Sequence, residues 1–130
     1  YPSREGVLHL PDRKLDIFFA DINKSEADFT PSTLYDDYAV TDKLFHWQSQ
    51  SQTSLNSETG KRYIEHKRLG YQPILFIRER KKAPNGLTAP YFFAGPLRYR
   101  KHEGEKPISF LWELECPLPA RVFQWARRGD

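Results

Sequence analysis

Residues 44–54, LFHWQSQSQTS, combine aromatic rings, a histidine and side-chain amides in one short stretch. In a strand, alternate side chains point to opposite faces, so Phe45 and Trp47 would share one face and the polar side chains the other. Aromatic rings stack on nucleobases, and amides bond to base edges. We therefore expect base contacts from His46, Trp47, Gln48 and Gln50, although Trp47 lies on the face that a packed core would also use.

Residues 34–40, LYDDYAV, supply a second group of candidate base ligands. A carboxylate accepts a hydrogen bond from the amine of cytosine, and an aromatic ring stacks on the base. The candidates are Tyr35, Asp36, Asp37 and Tyr38. The alternative is a short helix, capped by Ser32, that packs its tyrosines and exposes its acids, and this is the commoner use of such a sequence.

Cations for phosphate binding are concentrated in residues 56–70, which have the pattern of a helix. A serine at position 57 can cap its start, and Gly70 can end it in a left-handed turn. Cations hold DNA by its phosphates without reading the sequence. The predicted phosphate ligands are Ser57, Thr59, Lys61, Arg62, His66 and Lys67. The alternative is a solvated helix face, and composition alone favours nucleic-acid binding only slightly.

Catalytic sites find little support in the sequence. A phosphate-binding loop fails twice, because it needs glycine where Leu55 stands and serine or threonine where Arg62 stands. A metal-dependent nuclease would join Glu79 and Lys81 to a second carboxylate, and the candidate Asp12 is far away in sequence. There is no Gly-x-Ser-x-Gly nucleophile elbow. We expect no catalytic residue, no metal and no cofactor.

Length and charge limit the class of protein. A chain of 130 residues suits one domain, and a net charge of +3 with a pI of about 9.0 permits nucleic-acid binding without requiring it. The acidic residues cluster in the first third and the basic residues in the remainder. No apolar run is long enough to cross a bilayer. The start at Tyr1 without any methionine suggests a fragment, and the single Cys116 suggests a reducing, cytoplasmic location.

Apolar alternation and turn residues predict an α+β domain. We expect strands over 15–23, 43–50, 72–80, 89–101 and 107–116, and helices over 33–40, 56–70 and 120–128. The first strand would place Leu15, Ile17 and Phe19 on one face, and Gly95-Pro96 would bring a bulge or corner. Residues 1–14 are assigned to an entry arm or linker, and 15–130 to one recognition domain. The predicted fold is a small, mostly antiparallel β-barrel with two or three short helices.

Several blocks, in this order, resemble the C-terminal domain of unknown function of bacterial DEAD/DEAH-type helicases. They are FTPSTLYDDYAVTDKLFHWQSQSQTSLNSETGKRYIEH, LFIRERKK, APYFFAGPLRY and HEGEKPISFLWELECPLPA. The resemblance covers nearly the whole chain after the arm. Proteins of this kind often also carry a phospholipase-D-type nuclease domain.

The resemblance implies a place at the end of a translocating ATPase. Some members, the SauUSI-like type IV restriction enzymes, cut DNA that carries 5-methylcytosine or 5-hydroxymethylcytosine, and there this domain is the expected target reader. The implied partners are double-stranded DNA with modified cytosine and the helicase and nuclease domains of the parent chain. By analogy with PUA-like and SRA-like pseudobarrels, the base would be flipped into an aromatic pocket.

The competing class is an interaction module. The domain would then dock on its own motor, form a homodimer or regulate the nuclease, and the acidic first third would suit a basic partner surface. A free-standing enzyme is the least supported class, since no catalytic motif is complete.

Overall fold

Alternating apolar and polar side chains form strands through most of the chain. The computed structural model describes residues 6–22, 37–79 and 89–127. Its strands are β1 (Val7–Leu10), β2 (Leu15–Ile22), β3 (Tyr38–Ala39), β4 (Leu44–Gln48), β5 (Gln72–Glu79), β6 (Phe92–Glu103) and β7 (Ser109–Leu114). Its helices are α1 (Glu58–Ile64), α2 (His66–Leu69) and α3 (Ala120–Ala126), with a 3-10 turn at Pro11–Arg13. None of the helices in these ranges is long and apolar enough to span a membrane.

The strands form one sheet in the order β1-β2-β5-β6-β7-β4-β3. β2 and β5 run parallel, and the other neighbouring pairs are antiparallel. Because the order begins at β1 and ends at β3, the sheet of the described residues is open rather than a closed barrel. The predicted α+β class, with a mostly antiparallel sheet and short helices, is confirmed.

Strand β6 belongs to both halves of the sheet. Its start pairs with β5, and residues 97–103 pair with β7. The register shifts opposite Leu75 and Phe76, and again between Tyr99 and Lys101. Gly95 lies at the first shift with φ of +99°, a backbone conformation that residues with a side chain rarely adopt. The bulge predicted at this point is confirmed, and it lets the sheet bend there.

The bend brings the inner faces of the two half-sheets together around an aromatic core. Phe18 on β2 stacks on Trp47 of β4, with ring centroids 4.0 Å apart and planes 11° apart. Tyr63 of α1 meets both rings edge-on. Phe110 and Trp112 on β7 complete the cluster and are fully buried. The alternation predicted for residues 108–114 is therefore confirmed as a core pattern.

Three expectations about the elements need correction. Val7–Leu10, assigned to a linker, pairs with β2 as an edge strand, because apolar Val7 and Leu10 bury part of their surface there. Tyr38 and Ala39, assigned to a helix, pair with β4, so tertiary pairing overrides the helical spacing. On β2 the alternation is correct, but the fully buried face carries Asp16 and Phe18 rather than Leu15, Ile17 and Phe19. The period of a strand does not reveal which face the protein covers.

The helix predicted over 56–70 is present but divided. Ser57 caps α1 by accepting a hydrogen bond from the amide of Gly60 at 3.0 Å, as expected. Gly70 ends α2 with φ of +78°. Glu65 leaves helical geometry between them. As a result, the cations of this segment point in different directions.

Candidate nucleic-acid interface

The outer face of the half-sheet made by β3, β4, β7 and β6 carries a continuous row of side chains. Strand register aligns Tyr38 with His46, His46 with Leu111, and Leu111 with Lys101. We call these four residues the outer row. The side chains on either side of them along β4 and β7, Phe45, Trp47, Phe110 and Trp112, point inward and are buried. Alternation therefore separates a core face from a face that is available to a ligand.

The rings of Tyr38 and His46 stack at one end of the outer row. Their centroids are 4.9 Å apart and their planes 21° apart, and both side chains are half-buried. A stacked aromatic pair on a sheet presents a flat apolar surface that suits a nucleobase. Two residues predicted from separate motifs thus come together, because β3 pairs with β4.

A first cavity of about 280 Å³ opens beside the outer row. It is lined by His46, Lys101, His102, Glu103, Ser109, Phe110 and Leu111. Tyr99 approaches His102 at its edge, with 2.7 Å between the hydroxyl and Nδ1. Gln48 reaches the same side of the sheet and donates from Nε2 to the hydroxyl of Ser109 at 3.2 Å. The cavity combines an aromatic wall, a cation and hydrogen-bonding groups, as a polar aromatic ligand requires.

Asp37 and Gln50 are used by the protein itself. Asp37 Oδ1 accepts a hydrogen bond from the amide of Gln48 at 2.9 Å, which holds the chain before β3 against β4. Gln50 Oε1 accepts from Thr53 at 3.2 Å and from the Tyr63 hydroxyl at 3.1 Å. Both side chains are thus engaged within the protein: Asp37 with strand β4, and Gln50 with Thr53 and the buried Tyr63.

Trp47 belongs to the core. It is 2% exposed and stacks on Phe18, with Tyr63 and Phe110 around it. A base could reach this ring only if Phe18 left it. The base contact predicted for Trp47 is incompatible with this packing, whereas Tyr38 and His46 lie on the outer face.

Arg62, predicted as a phosphate ligand, forms a buried ion pair instead. Its Nε donates to Asp16 Oδ2 at 2.7 Å and its Nη2 to Oδ1 at 3.0 Å. The two side chains are 12% and 3% exposed. Burial alone would lower the pKa of Arg62, but the hydrogen bonds and charge of Asp16 outweigh it and raise that pKa. The guanidinium is committed to joining α1 to β2.

His66, also predicted as a phosphate ligand, is 4% exposed and joins α2 to β6 and to the residue before β5. Its Nε2 accepts from the amide of Tyr99 at 3.1 Å, so Nδ1 carries the proton and donates to the carbonyl of Tyr71 at 3.1 Å. Burial lowers the pKa of His66, which favours this neutral form. A neutral, fully bonded imidazole offers no charge to a phosphate.

The other predicted phosphate ligands include residues that bond within the fold and residues that are exposed. Ser57 is committed to its cap and donates its hydroxyl to Ser54 at 2.7 Å. Thr59 is half-buried on α1. Lys61 and Lys67 are exposed, and no carboxylate of the described ranges forms an ion pair with either. Phosphate binding by these two lysines stays a prediction.

A second cavity, of about 410 Å³, lies where α2 meets β6. It is lined by Ile64, Glu65, His66, Lys67, Arg68, Arg98, Tyr99 and Glu113. Arg98 and Lys101 are exposed on β6 and line the second and the first cavity, respectively, with Arg100 between them. Sequence reasoning counted these cations but did not place them in a site. The signal was present in LRYRK, residues 97–101, where basic residues alternate along a strand.

Two further predictions fall outside this region. Tyr35 and Asp36 lie outside the described residues. The nuclease pair is separated, because Glu79 aligns with Ile22 at one end of β2, whereas Asp12 precedes Leu15 at the other. That strand spans about 23 Å at 3.3 Å per residue, too far for a shared metal.

Comparison with known proteins identifies the family of the chain. No curated protein matches the chain. A family model described as a domain of unknown function, DUF3427, matches residues 4–126. This match covers the seven strands and three helices described above. The chain therefore belongs to the DUF3427 family.

Proposed function

We propose that this domain binds double-stranded DNA and reads 5-methylcytosine or 5-hydroxymethylcytosine. It would serve as the target-recognition domain of a cytoplasmic helicase-nuclease, in which the other domains supply motor and cleavage activity. The observation that carries the proposal is the stacked pair Tyr38–His46 together with the first cavity, which His46 lines and to which strand β6 contributes the cation Lys101. The resemblance to C-terminal domains of DEAD/DEAH-type helicases supports the choice of parent protein, and only some proteins of that kind act on modified cytosine.

In this proposal each residue of the outer row has a role, and the exposed lysines of α1 and α2 add phosphate contacts. Tyr38 and His46 stack on the cytosine, which is flipped out of the duplex. Leu111, half-buried between His46 and Lys101, supplies an apolar contact for the C5 substituent. Lys61, Lys67 and Lys101 hold phosphates on either side. Burying one methyl group is worth about 0.8 kcal/mol, or about fourfold in affinity.

The test is a titration of the chain with matched duplexes that differ only at one cytosine. Cytosine, 5-methylcytosine and 5-hydroxymethylcytosine are compared at one stated salt concentration. We expect the methylated duplex to bind at least about fourfold more tightly than the unmodified one. Equal affinity for all three duplexes would refute modified-base reading.

Matched variants assign the roles. Tyr38→Ala should remove the preference for the modified base, because it removes half of the stacking pair. Tyr91→Ala is the control, since Tyr91 is a 38% exposed tyrosine on the other half-sheet. Lys61→Ala should weaken all three duplexes alike. A Tyr38→Ala variant that keeps the full preference would exclude the outer row as the reading site.

A second candidate function is an interaction module, and one observation favours it. Phe19, Phe76 and Phe93 align across β2, β5 and β6 on the outer face of the other half-sheet, and Tyr91 packs on Phe19. Phe93 is 56% exposed. Exposed aromatic rows are common in protein interfaces. Sedimentation separates the two functions, because a tight dimer without DNA binding would favour this candidate.

A further inference from the structure

The second cavity joins cations from two elements that are distant in sequence. Lys67 comes from α2 and Arg98 from β6. Their sequence neighbours link the two elements. The amide of Tyr99, next to Arg98, donates a hydrogen bond to Nε2 of His66, next to Lys67, at 3.1 Å. Because His66 is also held by the Tyr71 carbonyl, the spacing between Lys67 and Arg98 is fixed by a buried contact. The backbones of Lys67 and Arg98 are therefore already in place, so an anion between them has to order two side chains and no further backbone.

The charges around this cavity leave room for an anion. The carboxylate of Glu65 is paired with Arg68, and that of Glu113 approaches Arg100 at 3.6 Å. Among the described residues, the ion pair of Arg98 is a long contact of 3.7 Å to Glu115, and the Arg98 side chain is 50% exposed. Exposed pairs at such distances are weak, so a phosphate can replace them. No ion pair to Lys67 is found within residues 6–22, 37–79 and 89–127.

We propose that Lys67 and Arg98 together clamp one phosphate of the nucleic-acid backbone in the second cavity. This inference rests on the proposed function and adds Arg98 to the interface. Lys101, three residues further along β6, lines the first cavity. The clamp would thus fix the path of a DNA strand along β6 towards the stacked pair.

The experiment is a double-substitution cycle on DNA affinity, measured with one short duplex over a range of salt concentrations. The variants are Lys67→Gln, Arg98→Gln and the two combined, with Arg121→Gln as the control. Arg121 is an exposed arginine on α3, and its loss changes the net charge by as much as either single substitution. Circular dichroism of each variant checks that these surface changes leave the fold intact.

If Lys67 and Arg98 share one phosphate, the salt dependence of DNA affinity should change by one phosphate contact. Each phosphate contact contributes about 0.9 to the slope of log affinity against log salt, which amounts to about eightfold in affinity between 1 M and 0.1 M salt. The combined variant should lose about 0.9 from the slope. The second substitution should also cost less after the first than it does alone. Arg121→Gln should leave the slope unchanged.

The possible failures are distinguishable. Additive effects with a slope loss of about 1.8 would mean two separate phosphates and would overturn the clamp. A combined variant that behaves like Arg121→Gln would overturn it as well, while DNA binding by the unchanged chain stands. If the unchanged chain binds no duplex, the proposed function and the clamp fail together. Equal affinity for modified and unmodified duplexes refutes base reading and leaves the clamp intact.

Discussion

Replacing Arg62 with glutamine should destabilise the domain strongly, although its neighbour Lys61 can be replaced at little cost. Arg62 gives two hydrogen bonds to Asp16, whose side chain is 3% exposed. After the substitution the buried carboxylate would keep only the contact with His9 at 2.9 Å. Removing one partner of a buried pair costs about 3–5 kcal/mol, because the remaining charge is left desolvated.

The size of the effect can be converted into a melting temperature. A domain of this length unfolds with an entropy of about 0.27 kcal/mol/K, from about 2.1 cal/mol/K per residue. The loss of about 3–5 kcal/mol therefore lowers the melting temperature by about 11–18 °C. Lys61→Gln changes an exposed side chain and should stay within about 0.5 kcal/mol of the unchanged chain. Urea denaturation and thermal unfolding of both variants measure the difference.

A double substitution distinguishes the cost of leaving one buried charge unpaired from the net contribution of the ion pair to the free energy of unfolding. Asp16→Leu combined with Arg62→Met removes both charges, and such replacements are often neutral. The combined variant should therefore recover most of the stability that Arg62→Gln loses. If Arg62→Gln is as stable as Lys61→Gln and instead weakens DNA binding, Arg62 is a phosphate ligand and the assignment to a structural pair is wrong.

The remaining predictions concern the core and pH. Trp47→Ala should cost about 3–5 kcal/mol in urea denaturation, because it leaves a cavity against Phe18; a fully stable variant with impaired DNA binding would contradict this. The folded-state pKa of His66 is lowered by burial from its usual 6.5, so the folded state resists protonation and stability should fall as the pH drops below about 6.5. Melting temperatures between about pH 5 and 7.5 should decline less for His66→Gln than for the unchanged chain, and equal slopes would exclude His66 as the cause.

Sequence patterns correctly predicted the features that depend only on residues close to one another in the chain. The cap at Ser57 and the left-handed turn at Gly70 depend on neighbouring backbone, so the helix limits followed from residue type. The alternation of Phe45 and Trp47 against His46 and Gln48 was correct for the same reason, since it depends only on the strand period. The bulge at Gly95 also needed no tertiary information.

The candidate site was less accessible to sequence reasoning. Six residues between 57 and 67 were predicted to bind phosphate, but the helix breaks at Glu65, and Arg62 and His66 are held by partners within the protein. Nothing in the local sequence shows that Asp16 lies opposite Arg62, because the two are brought together by packing of α1 on β2. The contribution of Arg98 was missed for a similar reason, since it depends on where α2 meets β6.

Sequence by itself determined the strand periods, the helix caps, the α+β class and the chemical types that could meet a nucleic acid. Only the tertiary structure decided which face of each strand is covered and which cations are neutralised by a buried partner. Those outcomes depend on contacts between residues far apart in the chain, such as Phe18 with Trp47 and Tyr99 with His66. They assign Trp47 and Arg62 to the core and its supports, and leave Tyr38, His46, Lys67 and Arg98 on the surface that a ligand can reach.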